Sequence, residues 1–212
     1  MSTRQVRKML RQMADGGPVE VTSAMASMKA LARLAFLAEQ FGYTYADVRQ
    51  GGGPQGNGFV MLLVPDPAPG ARARAERNRA HYPRASDGGA LPPLVPDEVE
   101  LHRTRIAFDL AARHTEKQLA VLGGVGFTVL AAGLGVALGA DATALALALA
   151  VWAVLMACVP VGLVVNRRYR ARQAARLEAA GFTAVTGPGG RLRYVPPGGP
   201  RPGHGNPCAG EA

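Results

Sequence analysis

Hydrophobic and polar positions change rhythm several times along this chain. Near the start, Val6, Met9, Leu10 and Met13 recur at helical spacing and share one face of a short basic helix. After Gly16-Gly17-Pro18, Thr22 or Ser23 is placed to cap a longer helix. Met28, Leu31, Leu34, Phe36, Leu37 and Phe41 supply its apolar positions, and Gly42 ends it. The pattern then becomes strand-like: "YTYADVRQ" and "FVMLLVP" flank the glycine-rich "GGGPQGNG", which reads as two strands and a loose loop. A helix is expected over Ala71 to Ala80, followed by the Pro- and Gly-rich "SDGGALPPLVP". Asp97 with Glu100 starts a further helix that is expected to run into the apolar block beyond it.

That block decides the class. The 48 residues from Gln118 to Val165 carry one charge, Asp141. As a single helix they would reach about 72 Å at 1.5 Å per residue, against a bilayer core of about 30 Å. The block therefore folds back, and "GADAT", Gly139 to Thr143, is the place with both a charge and helix-weakening residues. Asp141 is read as turn and cap for the helix that follows. The alternative, a functional carboxylate at mid-bilayer, would cost several kcal/mol. Beyond the second span, "NRRYRARQAARLEAAG" reads as a basic helix ending at Gly181, and "FTAVT" and "RLRYV" around "GPGG" as a hairpin.

The fold class expected is thus an α-helical membrane protein with two transmembrane helices, a helical hairpin, plus a small α+β cytoplasmic module containing antiparallel β-hairpins. The divisions are an N-terminal module (1–85), a linker (86–96) and a juxtamembrane helix (97–117). Two transmembrane helices (118–138 and 144–165) follow, joined by an extracytoplasmic turn (139–143). A basic helix and hairpin (166–196) and a disordered tail (197–212) complete the chain. "EQFGYT" (39–44) and "EAAGFT" (178–183) echo one another, each ending a helix and opening a strand. An isolated hairpin is marginal in water, so the echo raises the expectation of one four-stranded antiparallel sheet; the alternative is two separate hairpins.

Charge sets the orientation. Arg103, Arg105, Arg113 and Lys117 precede the first span, Arg167, Arg168, Arg170, Arg172 and Arg176 follow the second, and the connecting loop has no Lys or Arg. Both termini are expected in the cytoplasm and the protein in the cell membrane, multi-pass. Arg167, Arg168, Tyr169, Arg170 and Arg172 are the expected anchoring group at the membrane surface. Anionic lipid headgroups are their expected partners. The opening residues lack the apolar run of a cleaved signal peptide. Only three of the 24 Lys and Arg residues are lysine, and Ile106 is the sole isoleucine, a bias that reports a GC-rich coding sequence rather than chemistry.

Small residues recur within the spans at Gly124, Thr128, Ala132, Gly135 and Gly139, and at Ala142, Ala146, Ala150, Ala153 and Ala157. Gly135, Gly139, Ala146 and Ala150 are the expected packing positions between the two helices. Pro160 removes the usual partner of the Met156 carbonyl and is expected to kink the second span. Trp152 falls near mid-span, away from the interface that tryptophan favours, and is read as facing another helix.

Candidate chemistry is sparse. The glycine-rich loop lacks the lysine and following Ser/Thr of a P-loop and opens no helix. Arg72, Arg74, Arg77 and Arg79 make a dense basic helix, read as membrane-facing rather than nucleic-acid-binding because aromatic stacking residues are nearly absent there. Arg105, Asp109 and Arg113 stand four apart as surface support. Cys158, Cys208 and His204 form no metal-ligand spacing, His81, His102 and His114 are scattered, and no cofactor is expected. The function expected is a non-enzymatic membrane anchor or adaptor whose cytoplasmic module binds a protein partner, or that self-associates. The alternative is a homo-oligomeric channel or small transporter subunit.

Overall fold

The computed structural model describes residues 2–23, 27–51, 58–113, 115–139, 141–187 and 192–197. The glycine-rich loop at 52–57, His114, the second hairpin's loop at 188–191 and the tail from 198, with His204 and Cys208, lie outside the described residues. The protein is mostly helical, with two long apolar helices and small antiparallel sheets. It divides into two compact units, Met1–Leu110 with Gln173–Ala212, and Ala111–Arg172.

The first unit opens with α1 (Thr3–Ala14), whose Val6, Met9, Leu10 and Met13 are all buried, as the periodicity predicts. Next comes β1 (Val19–Ser23), where inward Val19, Val21 and Ser23 alternate with outward Glu20 and Thr22. This strand corrects the reading of Thr22 or Ser23 as a helix cap. The cap of α2 (Met28–Gln40) is Ser27, whose Oγ accepts from the Ala30 N–H at 3.3 Å. Gly42 ends α2 at φ +86°, and a Cβ there would lie 3.0 Å from the Ala75 Cβ. Both the left-handed turn and the close passage of α3 (Pro69–His81) therefore require glycine.

β2 (Tyr43–Gln50) and β3 (Phe59–Pro65) form the expected hairpin, but β1 pairs on the other side of β3, giving the order β1-β3-β2. The inner face of this sheet shares one core with α1, α2 and Ile106 of α4 (Pro96–Ala111). Fully buried Leu31, Leu34, Phe36, Leu37, Met61 and Leu63 are at its centre. Each such side chain contributes about 1.5–3 kcal/mol relative to exposure.

β2 carries one irregularity. Tyr45 pairs with Leu63 and Asp47 with Leu62, so Ala46 is an extra residue, a β-bulge. In an unbroken strand residues 45 and 47 would share a face; here Tyr45 stays with the core side and Asp47 joins the outer side with Glu20 and Arg49.

The expected four-stranded sheet does not form. β4 (Thr183–Thr186) and β5 (Leu192–Val195) pair with each other in a separate two-stranded sheet. β3 is flanked by β1 and β2, the outer edge of β2 pairs with neither β4 nor β5, and the second hairpin joins the unit through side chains instead.

The second unit contains α5 (Glu116–Ala137) and most of α6 (Ala142–Ala179). α4 does not run on into α5. Thr115 starts α5 afresh with a capping box, its Oγ1 accepting from Gln118 N–H while the Gln118 side chain accepts from Thr115 N–H. At 22 and 38 residues, the two helices are about 33 and 57 Å long, so each is long enough to cross a bilayer. Between them Gly139 adopts φ +102°, and Asp141 Oδ1 accepts from the Ala144 N–H at 2.7 Å, so the aspartate caps α6. Pro160 lies inside α6, which is helical on both sides of it.

The facing stripes can be read residue by residue. A Cβ on Gly135 would meet the Ala148 Cβ at 3.6 Å, one on Gly124 the Met156 Cε at 3.9 Å, and one on Gly123 the Val159 Cγ2 at 3.6 Å. Ala131, Gly135, Ala144 and Ala148 are buried, whereas Ala146 and Ala150 are exposed and Gly139 has nothing within 4 Å of a Cβ position. The packing stripe of α6 is therefore Ala144, Ala148, Trp152, Met156 and Val159, a different face from the Ala146 and Ala150 stripe expected. Gly135→Leu and Ala148→Leu are each expected to overpack the pair by about 1–3 kcal/mol, and Ala150→Leu to change stability by less than about 0.5 kcal/mol. Thermal melts of the full chain in detergent check this, and a large effect of Ala150→Leu with none at Ala148 would contradict the phase.

Candidate functional site

Two polar constellations stand out, one in each unit. In the second unit a polar pair sits among aliphatic side chains. Thr128 Oγ1 donates to the Gly124 carbonyl at 2.8 Å and accepts from Trp152 Nε1 at 3.1 Å. Trp152 thus faces its neighbouring helix, and its one donor is satisfied there. At the other end of the pair, Glu116 and Arg167 make a two-pronged ion pair that joins the start of α5 to α6.

Of the expected anchoring group, Arg167 is held by that pair, Arg168, Tyr169 and Arg172 are exposed, and Arg170 is half-buried. Gly135 lies on the facing stripe, Gly139 ends α5, and Ala146 and Ala150 point away from the other helix.

In the first unit, the strand β2 carries a polar knot. Tyr45, buried, donates its hydroxyl to Asp109 Oδ2 of α4 at 2.8 Å. Arg105, one turn earlier on α4, lies over the Tyr45 ring at 4.9 Å and over the Phe182 ring at 6.0 Å. Asp47 pairs with Arg193 of β5 at 2.5 Å and also accepts from the Val48 N–H at 2.9 Å. Phe108 and Tyr194 meet edge to face, with centroids 4.9 Å apart, and Tyr194 donates to Glu178 at 2.6 Å. One strand therefore holds both α4 and the second hairpin.

Burial shapes the charges in the knot. It pushes the Tyr45 hydroxyl well above the usual tyrosine range, with the Asp109 carboxylate adding to the effect, so the phenol stays a donor. Burial also raises the Asp109 carboxyl, against the pull of the Tyr45 hydrogen bond and the Arg105 and Arg193 charges, and it lowers the Arg105 guanidinium. Tyr194 is pushed up to about 12 by burial and by the Glu178 contact. Glu39 goes the other way. Burial raises it, but the 2.8 Å contact with His102 Nε2 and the charges of His102, Arg74 and Arg105 leave it below the usual 4.5.

This arrangement holds α4 and the second hairpin against β2. The depression beside it, lined by Glu20, Asp47, Arg49, Val60 and Leu62, measures about 60 Å³, well below the usual few hundred Å³ of a ligand pocket. Among the described residues no group of three or more His, Cys, Asp or Glu could hold a metal ion.

The arginine-rich α3 has a local explanation. Arg74 Nε, Asn78 Nδ2 and Arg79 Nη2 donate to the carbonyls of Glu39, Gln40 and Phe41 at 3.1, 2.8 and 3.4 Å. They satisfy the last carbonyls of α2, which a helix end leaves without intrahelical partners. Arg72 and Arg77 remain exposed.

Spacing alone reads Arg105, Asp109 and Arg113 as an exposed ladder, which is corrected for the first two. They bracket Ile106, Ala107 and Phe108, all buried, and face β2. A charged pair flanking the apolar stripe of a helix was the available signal. No family model, curated protein or solved structure matches the chain.

Tyr45→Phe keeps the ring and removes the donor, so it is expected to cost about 1–3 kcal/mol by stranding a buried carboxylate oxygen. In a double-mutant cycle with Asp109→Asn the two changes should be non-additive; simple additivity would show that the bond contributes nothing. Stability against pH separates the two carboxyls. Glu39, held below 4.5, contributes stability that is present above that pH and lost as pH falls through its folded value, so Glu39→Gln should flatten the acid-side loss. Asp109, held above 3.8, binds its proton more tightly when folded, so its contribution falls as pH rises and Asp109→Asn should steepen the acid-side loss.

Proposed function

We propose that this chain is a two-span integral protein of the cell membrane, with its first unit and both termini in the cytoplasm, and that it works as a non-enzymatic anchor or adaptor for a protein partner. One observation carries the reading. The apolar side chains of α5 and α6 face outward, Val136, Val129 and Val154 being 75%, 67% and 64% exposed, and only 11% and 6% of the two apolar windows are covered. A core helix of a water-soluble protein would be mostly covered, and a patch this extensive is not sustained in water. Lipid solves the problem.

Chain connectivity supports the sidedness. The hairpin leaves the first unit after Leu110 and re-enters it at Gln173, so both ends lie on one side of any membrane it crosses. The basic flanks support that side as the inner one. Arg105 counts less than its neighbours here, because it is committed to the β2 knot. The channel alternative is disfavoured by Thr128, the one clearly polar side chain of α5's apolar run, whose hydroxyl is already used within the hairpin.

With Cys158 and Cys208 replaced by Ser, a cysteine at Asp141 is expected to react with an impermeant maleimide added outside intact cells, while cysteines at Glu76 and Thr186 stay protected. The reverse pattern would overturn the orientation. Capture of the full chain in mild detergent should bring down a second protein in stoichiometric amount, and repeated recovery of the chain alone would remove the adaptor role.

A further inference from the structure

The polar face of α1 breaks two local electrostatic rules. Arg4, Arg7, Lys8 and Arg11 fall at helical spacings of three and four and form one stripe, since the opposite face is fixed in the core. Like charges so placed repel, and basic residues in a first turn that has no acidic residue oppose the helix dipole. Among the described residues the carboxylate paired with the stripe is Asp87, 3.1 Å from Arg11, so there four cations meet one anion, a net +3. Arg7 is also held in place. Gly88, at φ +95°, passes so close that a Cβ there would lie 3.2 Å from the Arg7 Cδ. The stripe borders an open trough of about 410 Å³ with Gln12 at its edge.

We infer that this stripe is a docking surface for anionic phospholipid headgroups, an inference that rests on the membrane reading above. The hairpin tethers the unit to a bilayer, so headgroup phosphates are present at high effective concentration without any separate encounter. Their charge supplies the counterions that the fold withholds from Arg4, Arg7 and Lys8. Nucleic acid fits less well, because α1 has no aromatic residue on which a base could stack. The contact uses the basic face, since Val6, Met9, Leu10 and Met13 are buried and unavailable to acyl chains.

The test uses the full chain, with Cys158 and Cys208 replaced by Ser and a fluorophore on Gln12→Cys, in nanodiscs of phosphatidylcholine with or without phosphatidylglycerol. Incorporation is checked first by resistance to alkaline extraction, and failure there overturns the membrane reading and this inference with it. In inserted protein, spin-labelled headgroups should quench the fluorophore strongly only in the anionic discs. The pair Arg4→Glu with Lys8→Glu should weaken that contact by at least about twenty-five-fold, about fivefold per cation removed, and molar salt should abolish it. If the reversed pair melts lower than the parent, Arg4→Gln with Lys8→Gln takes its place. Equal quenching in the two lipids, or quenching that survives the substitutions, overturns the inference. So does displacement of the contact by an equimolar short single-stranded RNA, which would make the stripe a nucleic-acid surface.

Discussion

Two side chains of a single strand, Tyr45 and Asp47, hold the segments by which the chain leaves its folded unit and by which it returns. Tyr45 binds Asp109, just before the exit into the apolar hairpin, and Asp47 binds Arg193, soon after the return. Everything between must therefore begin and end at one body. For helices that enter a bilayer, this demands an even number of crossings, and it does so independently of the arginines that flank them. The anchoring interactions are partly buried and mutually dependent: removing either member strands a charge or a hydroxyl where water solvates it poorly.

Within the hairpin, composition and specificity are carried by different residues. Alanine occupies nearly every second position in the first part of α6, so any face of that helix offers small residues and none is favoured by size alone. The phase is instead set by a few polar contacts, Thr128 with Trp152 and Glu116 with Arg167. Among apolar side chains an indole N–H without an acceptor is costly, which gives one rotation of α6 an advantage that alanines cannot supply.

This division explains what was legible in the sequence. The two long apolar helices, the turn at Asp141, α2 and the β2–β3 hairpin announce themselves through long-range periodicity and punctuation, signals that survive without knowledge of neighbours. β1 did not, because Thr22 and Ser23 suit a strand and a helix cap equally, and only the pairing with β3 decides between them. The Ala146 and Ala150 stripe failed for want of a phase signal. The four-stranded sheet failed because an echo in local pattern says nothing about which edges are free. The Tyr45 knot was hidden for the same reason: its members come from positions 45, 47, 105, 109 and 193, and their meeting is a property of the fold.

The bulge at Ala46 carries a consequence for how such a chain can diverge. Because one extra residue turns Tyr45 and Asp47 to opposite faces of β2, the strand serves two clients at once. Substitutions around it can be absorbed singly, whereas loss or gain of one residue between 43 and 50 would redirect one of the two attachments. Length in β2 is therefore more tightly constrained than identity, and insertions and deletions among descendants of this sequence are expected to fall elsewhere.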